Sequence, residues 1–339
     1  MSAHIRRFAR PIVAAVTAVM SLAACTSVSR LPDQTYYGSS SNWGFRKRYP
    51  PADRLFNAFD YGHAILYERL LRNAGHAADA APGLEGREFD YITKNLLVRP
   101  PALPLEERAI APTYTTAVPE LLAVFDWAHM LHRQLYDVLA DEQLDSTARE
   151  TQTRALLRYY TGRHDLALST HPKSMSLMEG APYSLAFRRQ DPKFNGLLWA
   201  YHWYQLAIYD ALLGASDAAG RRRNVNAATA QFWALIASAP EHMPTLMPMA
   251  AAVSPRLAER YPEMAIIFDN LHSLHDVAAD ILASPVVTPA NKRSAILRAI
   301  AEFQDATTEV VSLSDWRSMA LDMGVENMGG VAPTPAAAR

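Results

Sequence analysis

Three stretches of the chain share the pattern Phe-Asp-x-x-His. They place Asp60 before His63, Asp126 before His129, and Asp269 before His272. Residues three positions apart in a helix lie on one face, so each pair would present a carboxylate beside an imidazole. Together these groups form a ligand set for Fe, Mn or Zn, and helical bundles assemble such sites from facing helices. The pattern therefore predicts a metal site between helices.

Further histidines lie in register with these pairs. His132 and His275 follow His129 and His272 by three residues, and His202 stands in a similar apolar stretch with Gln205 after it. We expect the first histidine of each stretch to be the principal ligand and the aspartates to be ligands or orienting groups. The predicted metal ligands are His63, His129, His202, His272, Asp60, Asp126, Asp269, His132 and His275.

The leading histidines are spaced almost evenly. His63, His129, His202 and His272 stand 66, 73 and 70 residues apart, each in an apolar helical segment that a more polar one follows. This spacing favours four units of one inner and one outer helix. If each outer helix returns the chain, the four inner helices run in the same direction. Eight residues after the last three histidines stand Asp137, Asp210 and Asp280, and the first unit has no such residue.

Two other interpretations of the histidines remain open. Each Asp could accept a hydrogen bond from its own imidazole, in which case the residues would form a polar seam that fixes helix register without a metal. Alternatively, His132 and His275 could ligate a haem that is not covalently attached. A Met-rich segment around Met247 could suit Cu(I), although methionine that fills gaps between helices explains it better.

The periodicity of apolar residues predicts an all-α fold. They recur at helical spacing almost throughout, and no alternating strand pattern is convincing. We predict a helical bundle or toroid of about four helix pairs. Its predicted organisation is a signal segment over 1–24, a tether over 25–52, one helical domain over 53–324 and a disordered tail over 325–339.

The N-terminal segment has the features of an export signal. Arg6, Arg7 and Arg10 precede an apolar run that is short for a membrane span and ends in Leu22-Ala23-Ala24-Cys25. This order resembles the lipobox of bacterial lipoproteins. The resemblance implies a lipid on Cys25 and attachment to the cell envelope. Thr26 follows the cysteine where Asp would favour the inner membrane, so the resemblance favours the outer membrane.

Composition excludes several classes of function. Without residues 1–24 the chain has 30 basic and 34 acidic residues, so a nucleic-acid partner is not expected. Because Cys25 is the only cysteine, no internal disulfide, CxxC metal site or covalent haem attachment can form. Hydrolase and phosphate-binding motifs are absent.

The sequence thus favours a lipid-anchored envelope protein with a His/Asp metal site between its inner helices, at which redox chemistry could take place. The alternative is a non-catalytic envelope lipoprotein that assembles with or binds an envelope protein partner and whose histidine seam is structural.

Overall fold

The computed structural model describes residues 36–73, 83–104, 106–242 and 247–322, and for residues 238–242 it describes the backbone alone. The predicted signal segment, Cys25 and the predicted tail over 325–339 lie outside the described residues.

The described residues form helices, which confirms the predicted all-α fold. Within these ranges there is no β-strand, only an isolated bridge between Lys173 and Val310. None of the described helices is both long and apolar enough to cross a bilayer. In chain order the helices are α1 (Gly44–Arg48), α2 (Pro50–Arg72), α3 (Phe89–Tyr91) between two π-helical segments (Gly83–Glu88 and Ile92–Leu96), α4 (Glu107–Ile110), α5 (Pro112–Ala117), α6 (Pro119–Ala140), α7 (Ser146–Thr161), α8 (Ser176–Glu179), α9 (Ala186–Gln190), α10 (Pro192–Leu213), α11 (Ala218–His242), α12 (Ala250–Val253), α13 (Pro255–Arg260), α14 (Pro262–Ala283), α15 (Pro289–Gln304) and α16 (Leu313–Asp322).

The four inner helices, α2, α6, α10 and α14, all begin at a proline. A short helix precedes each one and ends at a residue with the same backbone conformation, with φ near −130° and ψ near 60°: Tyr49, Val118, Asp191 and Tyr261. A residue before proline is kept out of the α region, so the short helix must stop there. Proline itself suits the first position of the next helix, where its missing N–H costs nothing.

These prolines correct the predicted register of the repeat. Counted from the first proline, the residues ten positions on are Asp60, His129, His202 and His272. Those thirteen positions on are His63, His132, Gln205 and His275. His63 therefore corresponds to His132 and His275, not to His129. The helix start sets the phase, and the histidines alone could not reveal it.

The corrected register also supplies the acid that the first unit seemed to lack. Eighteen positions after each proline stands a carboxylate: Glu68, Asp137, Asp210 or Asp280. Each accepts backbone N–H groups at the start of a short helix, where unpaired donors and the helix dipole favour a negative charge. Asp137 accepts from Trp43 and Phe45, both at 2.8 Å.

The other three carboxylates cap short helices in the same way. Asp280 accepts from the N–H of Leu185 and Phe187. Glu68 accepts from Thr113 and Tyr114, and Asp210 accepts from Arg256. Thus α2 and α6 each hold the short helix that precedes the other, and α10 and α14 do the same.

These reciprocal contacts make α2 antiparallel to α6 and α10 antiparallel to α14. The expectation that all four inner helices run in one direction is therefore wrong. The reason lies in the connections. The segment after α2 returns the chain to the end of α2 that it left, because Glu68 holds the beginning of α5 there.

The two halves of the chain repeat one another at a distance of 142 to 143 residues. The first half contains α1 to α7, and the second half contains α8 to α15. Matching residues include Phe45 and Phe187, Pro50 and Pro192, Pro119 and Pro262, His129 and His272, His132 and His275, and Asp137 and Asp280.

The helical domain begins earlier than residue 53, where the sequence placed its boundary. Phe45 and Tyr49 are buried in the core, and Asp137 binds the backbone at Trp43. Residues 36–52 therefore belong to the domain rather than to a tether. Their short helix carries too few residues for a helical period to stand out in the sequence.

The capping carboxylates should differ in their contribution to stability according to burial. Asp280 forms an ion pair with Arg188, and both side chains are fully buried. Asp280→Ala removes the carboxylate that neutralises this guanidinium and should lower the free energy of unfolding by about 3–5 kcal/mol. Asp210→Ala, at the equivalent position beside exposed Arg256, should cost less than about 1 kcal/mol. Urea denaturation measures both, and equal losses would contradict this account.

Candidate metal centre

Six histidines meet in the middle of the bundle. Their side chains occupy six of the eight positions that lie ten and thirteen residues after the prolines, with Asp60 and Gln205 in the other two. The ring centroids of neighbouring histidines lie 4.0 to 6.5 Å apart. All are buried except His129, which is partly exposed. The six are His63, His129, His132, His202, His272 and His275.

The backbone fixes the orientation of two of these rings. Nδ1 of His63 lies 2.9 Å from the carbonyl oxygen of Phe59, and Nδ1 of His272 lies 2.7 Å from that of Phe268. A carbonyl oxygen can only accept, so in each ring the proton is on Nδ1. The lone pair on Nε2 is then directed away from the helix backbone. Metal-binding histidines are held in the same way, by a hydrogen bond to the nitrogen that does not bind the metal.

His202 places a second nitrogen against that of His63. The two Nε2 atoms are 3.0 Å apart, and Nδ1 of His202 lies 2.7 Å from the sulfur of Met247. If His202 carries its proton on Nδ1, two nitrogen lone pairs face each other. If it carries the proton on Nε2, the other nitrogen's lone pair faces sulfur. Either tautomer leaves one unfavourable contact, which a cation between the Nε2 atoms would remove.

Among the described residues, neither ring nitrogen of His275 has a hydrogen-bond partner. Its ring packs between His63, at a centroid distance of 4.5 Å, and Phe125, at 4.0 Å. The buried Nε2 atoms of His132 and His272 are also without partners. Leaving a buried donor or acceptor unsatisfied costs about 1–3 kcal/mol. The hydrogen bonds of the described residues therefore do not account for this cluster.

The nitrogen atoms form two trios with the spacing of metal ligands. One trio contains His63, His202 and His275, and the other contains His129, His272 and His275. Within each trio the ligand atoms lie within 4.8 Å of one another. A modest movement of the rings would bring three nitrogens to bonding distance of one ion.

The surroundings keep these imidazoles neutral, which is the form that binds metals. Burial and, to a smaller extent, the neighbouring His129 lower the pKa of His63 to about 4. Burial likewise lowers the pKa of His129 and of His132 to about 3. The pKa values of His202, His272 and His275 are well below the ordinary value, for the same reason and because the rings would repel one another when charged.

The three predicted aspartates do not take part in this nitrogen cluster, as their surroundings show. Asp60 pairs with Arg133 at 2.5 Å. Asp269 accepts from the backbone N–H of Ala250 and from the indole of Trp316, both at 2.8 Å. Asp126 is exposed. The rings of His63 and His272 are thus oriented by carbonyl groups rather than by the aspartates that precede them.

Sequence reasoning missed two contacts of the centre. Met247 reaches His202 from a segment that its methionine content alone did not connect to the histidines. Tyr209 bonds to Nδ1 of His132 at 2.9 Å, which orients the only histidine of the six outside both trios. No motif marks either residue.

The packing of His275 argues against haem. A porphyrin bound through a nitrogen of His275 would need the space at that edge of the ring, where ligand atoms of neighbouring histidines already lie within 4.8 Å. His132, the other residue considered as an axial ligand, already packs against Phe268 at 5.1 Å.

Comparison of the chain with protein-family models, with curated proteins and with solved structures gives no match.

The unsatisfied nitrogens of His275 should make the metal-free protein less stable than it could be. His275→Leu replaces a buried polar ring with an apolar side chain of similar size. It should raise the free energy of unfolding of the chelator-treated protein by about 1–3 kcal/mol. His132→Leu, which removes the bond to Tyr209, is the matched control and should give no gain. The prediction would be contradicted if His275→Leu, like His132→Leu, gave no gain in the free energy of unfolding.

Proposed function

We propose that this protein is a lipid-anchored protein of the cell envelope that binds metal between its inner helices. The observation that carries the metal proposal is the contact of His63 and His202, whose Nε2 atoms face each other at 3.0 Å beside the unpartnered ring of His275. A cation bound there would be coordinated by both Nε2 atoms, and His202 would then carry its proton on Nδ1, beside the Met247 sulfur.

The donor set narrows the choice of metal. Imidazole suits Zn, Cu and Fe, whereas Mn prefers carboxylate and water. The oxygens of Asp60 and Asp269 are engaged by Arg133, Ala250 and Trp316, so the ligand groups that the described residues bring together are imidazole nitrogens, with the Met247 sulfur beside His202. Zn, Cu or Fe therefore fits this centre better than Mn.

The number of ligands favours a reactive site over a structural one. Structural zinc sites are closed by four protein ligands, whereas catalytic sites use three and leave a position for water or substrate. Each trio here supplies three imidazoles. His129 is the one of the six histidines that is partly exposed, so we place the approach of a small molecule on its side. We therefore favour a centre that acts on or binds a small ligand, through redox or Lewis-acid chemistry according to the metal.

Metal analysis tests the proposal directly. The full chain, purified in detergent and stripped with a chelator, should take up at least one equivalent of Zn²⁺ or Cu²⁺. His202→Ala removes a ligand and should weaken metal binding by at least about 100-fold. A loss of about 100-fold is the upper end of what is seen when a residue that only orients a ligand is replaced. His164→Ala, on an exposed histidine, is the control and should bind like the unaltered chain.

A chain that takes up none of Zn²⁺, Cu²⁺ or Fe²⁺ would overturn the metal proposal. It would leave the second candidate, an envelope lipoprotein that binds a protein partner. The bond between His132 and Tyr209 is the observation that favours such a structural role for the polar residues.

The anchor is tested by a single substitution. Cys25→Ser removes the sulfur that would carry the lipid, so the protein should leave the membrane fraction and appear in the soluble envelope fraction. Labelling with a radioactive or clickable fatty acid should disappear with it. Retention of the variant in washed membranes to the same extent as the unaltered chain would contradict the lipid anchor.

A further inference from the structure

We infer that the centre holds two metal ions and that His275 bridges them. This inference rests on the proposed metal binding and deepens it. The two trios share His275 and no other residue, while His63 and His202 belong to one trio and His129 and His272 to the other. Two ions in separate trios would each have three nitrogen ligands only if His275 served both.

The ring of His275 suits this role. Its two nitrogens lie on different edges of the imidazole, and neither has a hydrogen-bond partner in the part of the chain that the structure describes. An ordinary metal-binding histidine uses one nitrogen for the ion and gives the other to a carbonyl or carboxylate. His63 and His272 follow that rule. His275 does not, so both of its nitrogens are available to ions.

The bundle supplies the remaining ligands in matching pairs. The first trio takes His63 from α2 and His202 from α10, and the second takes His129 from α6 and His272 from α14. His63 and His202 make the close contact at 3.0 Å. The rings of His129 and His272 are 6.4 Å apart, with His275 within 5.4 Å of each. The first ion would thus sit between α2, α10 and α14 and the second between α6 and α14, and His275 would lie between the ions.

The bridge has a defined proton balance. A neutral imidazole has one lone-pair nitrogen and one N–H. The first ion binds at the lone pair without displacing a proton. The second ion binds at the other nitrogen only when the N–H proton leaves, and that proton passes to solvent. Filling both sites should therefore release one more proton from His275 than filling one.

The stoichiometry of metal uptake tests this arrangement. The full chain, purified in detergent and stripped of metal, is titrated with Cu²⁺ and the bound copper is counted. We expect two ions per chain. Because the bridge couples the two Cu²⁺ spins, the integrated electron paramagnetic resonance signal should fall well below that of two isolated ions. Titration in weak buffer should show the additional proton released with the second equivalent.

Substitutions assign the ions to the trios. His63→Gln should leave one ion, held by the second trio, and His129→Gln should leave one, held by the first. Both should restore the full signal of an uncoupled ion. His132→Gln, which alters a histidine outside both trios, should keep two coupled ions. Circular dichroism identifies any variant that does not fold, and the remaining one-site variant then carries the test.

The outcomes separate the two proposals. Two ions with full, uncoupled signal intensity would overturn the bridge. A single ion in the unaltered chain would overturn the two-ion centre and leave the proposed metal binding intact. If the chain bound no copper and, in a separate titration with Zn²⁺, no zinc, both proposals would be overturned.

Discussion

The register of the bundle depends on buried carboxylates that cap helices from a neighbouring element. Asp137 and Asp280 each bind two backbone N–H groups of a short helix, and the proline after that short helix then fixes where the long one starts. A carboxylate in the interior is costly unless its oxygens are satisfied. Each cap is therefore specific: a slip by one residue would leave both the charge and the N–H groups without partners. Because all four inner helices are held in this way, the positions ten and thirteen residues after the prolines come to the same level in the core.

The core departs from ordinary packing in the layer formed by these positions, which holds the histidines. Large aromatic side chains surround it, with Tyr136 stacked on Tyr209 at 4.2 Å and Phe59 on Tyr201 at 4.0 Å. Buried aromatic pairs contribute about 0.5–1.5 kcal/mol each beyond their area, so the layers on either side are strongly cohesive. They stabilise the bundle while the histidine layer between them lowers its stability. An arrangement that keeps several neutral imidazoles buried, with some of their nitrogens unbonded among the described residues, is typical of a site that has a function other than holding the fold together.

Much of the fold was readable from the chain, because long helices with strong apolar periodicity are the clearest sequence signal. The ends of α10 are readable in this way, since Pro192 stands at its first position and Gly214 directly after its last. The histidine pattern predicted a site between the inner helices, but the parallel order inferred from the spacing is wrong. The sequence did not reveal the register of the repeat or the direction in which the inner helices run. Helix α1 is too short to show a period, and the antiparallel order of α2 and α6 is set by where Glu68 binds.

The aspartates illustrate why the site could not be drawn from a motif. Asp60, Asp126 and Asp269 occupy the same place in the Phe-Asp-x-x-His pattern, and the pattern gives no means of telling them apart. Their surroundings differ, however: Arg133 lies beside one, Trp316 beside another, and the third is exposed to solvent. Those neighbours come from parts of the chain that are distant in sequence. The histidines, by contrast, share a layer and meet because the helices that carry them are in register.

The reciprocal caps close each half of the chain on itself, since α2 and α6 hold one another and α10 and α14 hold one another. The nitrogen trios cross this division, because each one joins helices of both halves: α2 with α10 and α14, and α6 with α14. The histidine layer thus lies where the two halves of the chain meet. If the proposed ions bind in that layer, they would link the halves to each other, and removing the ions would weaken the contact between the halves first.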